Sequence, residues 1–271
     1  MGVKMLNVFL KSNNLIQRRK SLNELRGKKI VIDTNNYIYE YMSTGNIVNG
    51  FIKMCEIFLK YNIIPLFIFD GKPTKEKTDE LKKRKKEREE SKKIYNKNIK
   101  FLSKNRKKEL MRKIVKVTKN ETYIVKSILN YYNMKFLDAP NESDELCCKL
   151  VEINKIYGCL SNDMDMLVYG CNYVFRNLDL SKEIVDVYNM KKILYTLNMN
   201  LDSFKYMCLY SNNYDNIFKT YKYYNDYSNL NENNGTFLEY LQYNKSIPND
   251  EFINIENNYK FFNLKNSIVL N

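Results

Sequence analysis

Four short apolar runs constrain the fold more than any other feature: KKIVID (28–33), IPLFIFD (64–70), NMKFLDAP (133–140) and IYGCLSND (156–163). Each is followed by polar residues and then by a helix-like stretch. Runs of this length that are apolar nearly throughout are what strands buried on both faces require, and their alternation with helices predicts a mainly parallel sheet covered by helices on both sides. The intervening segments 47–61 and 121–132 carry apolar residues at three- and four-residue spacing, as helices packed on a sheet do. A fifth strand is expected at CNYVFRN (171–177). The 271 residues suffice for one α/β domain with an appendage. We place the first over residues 1–210 and a reduced helical region over 211–271, where the composition shifts to Asn and Tyr.

Every one of the four runs ends in acid. Asp33 closes the first and Asp70 the second; Glu142 and Asp144 follow the third; Asp163 and Asp165 follow the fourth. In an open parallel sheet, function collects beyond the carboxyl ends of the strands. A single acid there is more often a helix cap, but six at one edge would repel one another and raise each other's pKa unless cations neutralised them. Asp163 and Asp165 face the same way if their strand runs on, because alternate residues of extended chain share a face. A helix can begin after Pro140, with Asn141 or Ser143 as cap candidates. Complementing that helix's dipole is a competing role for Glu142 or Asp144, and Asp138 lies nearby.

The chain has no histidine, and its six cysteines form no CxxC pair. That removes the usual zinc sites and any Ser-His or Cys-His catalysis, so a metal must be held by oxygen. Hard oxygen ligands suit Mg²⁺ or Mn²⁺, and two such ions can drive phosphodiester hydrolysis without histidine. The first residues lack a long apolar core with a cleavage site, and no run of about 18 apolar residues occurs elsewhere. A reducing compartment, nucleus or cytoplasm, with free thiols and no membrane association is therefore expected.

The formal net charge is +14, and from residue 72 to 120 there are 21 Lys and Arg against 7 Asp and Glu. The remainder is thus neutral, and the whole excess lies in one block. With almost no Gly or Pro and few apolar positions, the stretch 75–119 reads as a protruding helical element. Composition alone fits a solvated helix or a disordered tail as well as a nucleic-acid surface; the block's place between structured segments favours the nucleic-acid surface.

At these residues the sequence resembles the flap endonuclease and XPG nuclease family. MGVKMLN looks like that family's MGIKGL start, GKKIVIDTNNYIY like its first acidic motif, and FIFDGKPTKEKTDELKKR like its DGKP segment. APNESDELCCKLVEINKIYGCLSNDMDMLVYG looks like its APxEAEAxC and TEDMDxLxFG blocks. Order and spacing agree from residue 1 to about 214. The resemblance implies a PIN-like nuclease fold with a helical arch and two divalent ions. Asp33, Asp70, Glu142, Asp144, Asp163 and Asp165 fall on six of its metal-site acids, Asp144 replacing a Glu. Lys77 and Arg84 match two basic residues that hold the scissile phosphate, and their spacing of seven puts them on one helix face.

Tyr39 matches an aromatic on which the family stacks a base, a core tyrosine being the competing reading. Gly2 matches a glycine near the active site, which implies removal of the initiator Met. Residues 85–119 correspond to the arch, and Lys104, Arg106, Lys107 and Lys108 there are the expected phosphate contacts.

The chain also departs from the family. Where the family has GSDYCESIxGIGP, residues 211–222 read SNNYDNIFKTYK, so the seventh acid aligns with Asn213 and the Gly-Ile-Gly-Pro hairpin is absent. Asp215 replaces that acid only if the register slips by two. YKFFNL (259–264) has paired aromatics but no Gln at the distance a sliding-clamp motif needs. The Lys, Asn, Ile and Tyr bias suits the shortened family members of large DNA viruses. The expected function is DNA cleavage at 5′ flaps, nicks or ends in replication, recombination or repair. An RNA endonuclease and a non-catalytic DNA-binding scaffold are the alternatives.

Overall fold

A computed structural model describes residues 3–72, 78–98, 101–153, 156–230, 235–245 and 247–262, with backbone alone at 78–82, 84, 104, 105, 108 and 261. In chain order the first elements are α1 (Leu6–Ser12), β1 (Ile16–Ser21), a 3₁₀ turn (Leu22–Leu25), β2 (Lys29–Asp33), α2 (Thr34–Ser43), α3 (Ile47–Lys60) and β3 (Ile64–Phe69). Next come α4 (Thr78–Asn98), α5 (Lys104–Ile114), α6 (Lys119–Tyr131), β4 (Lys135–Asp138), α7 (Ser143–Glu152), β5 (Gly158–Leu160) and α8 (Asp165–Val168). The rest are β6 (Tyr173–Asp179), β7 (Ile184–Asn189), α9 (Met190–Thr196), α10 (Leu201–Asn213), α11 (Ile217–Ser228), α12 (Phe237–Lys245) and α13 (Asn249–Phe261). The class is α/β with a mainly parallel sheet, as the alternation of runs predicts.

The chain divides into two compact units, each built from separate segments. One comprises Ser21–Cys147 and Asp179–Ile184. Its β2 and β3 run parallel, with Asp33 opposite Ile68, and β3 runs parallel to β4, with Phe69 opposite Asp138. Ile30, Val31 and Ile32 of β2 and Phe67, Ile68 and Phe69 of β3 are all buried, as strands covered on both faces must be. Helices α3 and α6 pack together, α5 packs on α2, and α4 packs on α5. Among the described residues the basic block thus contains two helices, α4 and α5, packed on each other.

In this unit the loop after β3 and the loop after β4 press together. Ala139 N donates to Phe69 O at 2.8 Å and Gly71 N to Asn141 O at 2.6 Å, which extends the ladder past both strand ends. A Cβ at Gly71 would stand 1.9 Å from Ala139 O. Only glycine admits this approach, which brings the start of α7 beside the end of β3.

The other unit comprises Met1–Lys20, Cys148–Leu178 and Val185–Asn271. Its strands lie in the order β1-β7-β6-β5, and β5 runs parallel to β6. Strand β7 returns beside β6 after a short connection, which only an antiparallel hairpin allows. Neither β1 nor β7 is expected from the sequence. Helices α10 to α13, the first of which starts at Leu201, ahead of the expected boundary at 211, pack chiefly on one another and on α1 and α8. Strand β5 stops at Leu160 and Asp165 already opens α8, so the extended run assumed for Asp163 and Asp165 does not occur.

Gly71→Ala should lower stability by about 1–3 kcal/mol, the usual cost of forcing an extra carbon into a filled space. Urea unfolding would register this as a lower midpoint, and an unchanged midpoint would contradict the tight approach of the two loops.

Candidate metal centre

Asp33 ends β2 and stands at the N-terminus of α2, but its side chain makes no cap bond there. It is 4% exposed. Ser143, buried as the first residue of α7, faces it: Ser143 Oγ lies 3.2 Å from Asp33 Oδ1 and 2.6 Å from Asp70 Oδ1. Ser143 N also donates to Asp70 Oδ1 at 3.0 Å, and Asn35 Nδ2 donates to the other Asp70 oxygen. Two carboxylates thus converge on one hydroxyl, whose single proton can serve only one of them at a time. Strand register produces this convergence, because Asp70 lies just two residues beyond the partner of Asp33.

The helix start differs from expectation. Neither Asn141 nor Ser143 occupies the cap position; Ser143 is already helical and directs its polar groups at Asp70. Glu142 and Asp144 flank it and are both half-buried. Asp138 forms an ion pair with Lys126 at 2.7 Å, well accounted for without a metal.

In the other unit, Asp163 follows β5 in a turn stapled at both ends. Asp163 N donates to Ser161 Oγ at 3.1 Å, and Asp165 N donates to Asp163 Oδ1 at 3.0 Å. Asp163 thereby accepts from the first residue of α8, the buried Asp165, with Met164 at the cap position between them.

Oxygen is the available donor chemistry. None of the six cysteines forms a disulfide, and all are buried. Burial pushes the Cys55 thiol up to about 12, with the Glu56 charge adding to it. Burial first, and the Asp165 charge second, raises Cys208 well above the ordinary thiol value. Protonated thiols are poor ligands, so a carboxylate set suits a hard divalent ion. Among the described residues no three acidic or thiol groups stand close enough to hold an ion by themselves. The Asp33 and Asp70 pair, with two like charges facing one proton, still has the arrangement that a cation would relieve.

Asn213, aligned with the seventh acid, is exposed, and its amide donates to Leu209 O of its own helix at 3.3 Å. Asp215 pairs with Lys219 at 3.0 Å and accepts from Tyr223 at 3.1 Å, both on α11. The link from α10 to α11 is three residues, with Asn216 capping α11. Tyr39 is 37% exposed, which rules out the core reading. Arg106 pairs with Glu109 at 2.6 Å along α5, and Lys107 is half-buried. Gly2 and Lys77 lie outside the described residues, and Arg84, Lys104 and Lys108 are described as helical backbone only.

Sequence reasoning treats Ser143 only as a cap candidate; its position between two acids was the available signal. Ser143→Ala should destabilise the metal-free protein by about 1–3 kcal/mol, since hydroxyl bonds to charged groups have that worth and the two carboxylates are left facing each other. Denaturant melts in EDTA would show it; a midpoint equal to wild type would contradict the bridging role.

Residues 1–91 match the XPG N-terminal domain and residues 133–213 the XPG I-region. Flap endonuclease 1 of Aedes aegypti is 30% identical over 202 residues, which are 68% of this chain and 53% of that protein. The chain spans about half the length of the curated relatives it matches. The catalytic core of Rad2 in complex with DNA substrate superimposes with a TM-score of 0.66 at 19% identity, over 100% of this chain and 87% of that one. The Holliday junction-resolving enzyme GEN1, in complex with product DNA, Mg²⁺ and Mn²⁺ ions, gives 0.62 at 16% identity, over 94% and 63%. With the XPG N-terminal domain and the XPG I-region both matched in order, the chain belongs to the flap endonuclease and XPG family.

Proposed function

We propose that this chain is a divalent-metal-dependent DNA nuclease acting at 5′ flaps, nicks or ends. The observation that carries the proposal is the convergence of Asp33 and Asp70 on the Ser143 hydroxyl at the carboxyl ends of adjacent parallel strands. Asp33, Asp70, Glu142, Asp144, Asp163 and Asp165 would hold Mg²⁺ or Mn²⁺, in two sites. Such ions supply an activated water and stabilise charge on a phosphodiester. The relatives point the same way: GEN1 was solved with Mg²⁺ and Mn²⁺, and Rad2 with DNA.

The chain's own residues supply the rest. Lys77 and Arg84 steer the scissile phosphate. Tyr39, exposed on α2, offers a face on which any base stacks, which suits recognition of shape over sequence. Lys104, Arg106, Lys107 and Lys108 on α5 gather the phosphate backbone, and Glu109 pairs with Arg106 along the helix. The exposed Asn213, its amide turned to its own helix, favours a second reading as a scaffold that binds DNA without cutting it. The retained acid pair weighs against that reading, because carboxylates kept together without a metal cost stability.

Asp70→Ala and Asp163→Ala should each abolish Mg²⁺-dependent cleavage of a DNA flap while leaving binding to the flap largely intact. Cleavage by either variant at the wild-type rate would contradict the assigned site, and binding without cleavage by wild type would favour the scaffold. Matched single-stranded RNA in the same assay tests the RNA alternative. Neutralising Lys104, Arg106, Lys107 and Lys108 together should flatten the salt dependence of binding, by roughly 0.7–0.9 in the log–log slope for each phosphate no longer neutralised. An unchanged slope would make α5 a bystander.

A further inference from the structure

Arg176 on β6 is 9% exposed, and its charge has no conventional partner. Among the described residues no carboxylate forms an ion pair with it. Its donors go elsewhere. Nε and Nη2 both donate to the main-chain carbonyl of Asn162, at 3.1 and 2.6 Å. Nη1 reaches the Tyr188 hydroxyl at 3.3 Å and lies against the Met164 sulfur. The guanidinium also lies 5.4 Å from the centre of the Tyr188 ring. Burying a cation is costly, and here the acceptors that offset the cost are a main-chain carbonyl and a phenol hydroxyl rather than a carboxylate.

What it grips is the turn that carries the acids. Asn162 and Met164 bracket Asp163, and Asp165 follows. The same turn is fastened to β6 twice more: Asn177 N donates to Asn162 Oδ1 at 2.9 Å, and Ser161 N donates to Phe175 O at 3.1 Å. The grip extends backwards as well. The Tyr188 hydroxyl, on β7, donates to Asn7 Oδ1 of α1 at 2.8 Å. A continuous path of polar contacts thus runs from α1 through Tyr188 and Arg176 to the acidic turn.

The choice of acceptor is the informative feature. An arginine paired directly with Asp163 or Asp165 would take up carboxylate oxygens and compete with a cation for them. Arg176 binds a backbone carbonyl instead, bidentately and from a planar fork that a lysine cannot reproduce. Its donors therefore occupy none of the carboxylate oxygens of Asp163 or Asp165.

We propose that Arg176 is a positioning residue for the Asp163–Asp165 turn, presetting its geometry before metal arrives, with Tyr188 fixing the guanidinium in place. This rests on the reading of those acids as metal ligands. Groups that orient ligands from behind are worth on the order of 10- to 100-fold in metal affinity.

The test uses the full chain with Mn²⁺ alone, and no nucleic acid. Arg176→Lys keeps the charge and loses the fork; Tyr188→Phe removes one hydroxyl and disturbs the fold less. Mn²⁺ affinity by electron paramagnetic resonance should fall about tenfold or more in Arg176→Lys and a few-fold, about fivefold, in Tyr188→Phe. In metal-free protein, hydrogen exchange should quicken over 160–168 in both variants and stay unchanged over β2, β3 and β4. A folded Arg176→Lys variant that binds Mn²⁺ as wild type does would overturn the proposal. If wild type binds no Mn²⁺, the metal reading falls, and exchange alone decides: unchanged protection over 160–168 in Tyr188→Phe overturns the positioning role.

Discussion

Two carboxylates held against their mutual repulsion set the terms for much of this chain. Parallel pairing of β2 with β3 puts Asp33 and Asp70 at neighbouring strand ends, and the Ser143 hydroxyl faces both. The arrangement depends on α7 beginning where it does. That in turn depends on Gly71, whose missing side chain lets the loop after β4 approach the loop after β3. A motif glycine, a strand register and a helix start are therefore one constraint. Each of them would be tolerable in another form if the acids did not have to be kept close.

The acidic turn after β5 solves a similar problem by other means. There the acids are placed by backbone fastening, through Ser161, Asn162 and the buried Arg176, and the turn closes on itself when Asp163 accepts the Asp165 N–H. One unit uses a hydroxyl between two carboxylates, and the other a cation bound to a carbonyl behind them. Each device fixes acids at the carboxyl end of a strand, Asp33 and Asp70 through a shared hydroxyl and Asp163 and Asp165 through fastening of the backbone that carries them. Asn213 at the end of α10 is neutral, and its amide donates to the Leu209 carbonyl of its own helix.

Much of this was legible in the sequence, because it depends on local pattern. The buried strands β2 and β3 are apolar runs, and their terminal acids need no tertiary information to be noticed. The strands that escaped notice are those whose pattern is broken by residues with distant partners. β1 reads IQRRKS and is largely solvent-facing, so no apolar run marks it. β7 contains Asp186, which is buried because the Arg19 N–H and the Asn177 amide, each at 2.9 Å, satisfy it. Arg176 looks like any surface cation until the fold encloses it. Ser143 looks like a helix cap until strand register brings Asp70 to it. In each case the deciding interaction spans many residues, which periodicity does not see.

The claim on which the function turns is that the acids hold metal. Anomalous diffraction from crystals soaked in Mn²⁺ measures this without reference to activity. Metal held by these acids predicts a peak bounded by the Asp33 and Asp70 carboxylates, absent from Asp70→Asn crystals treated in the same way. Well-ordered wild-type crystals with no anomalous peak at those carboxylates would contradict it.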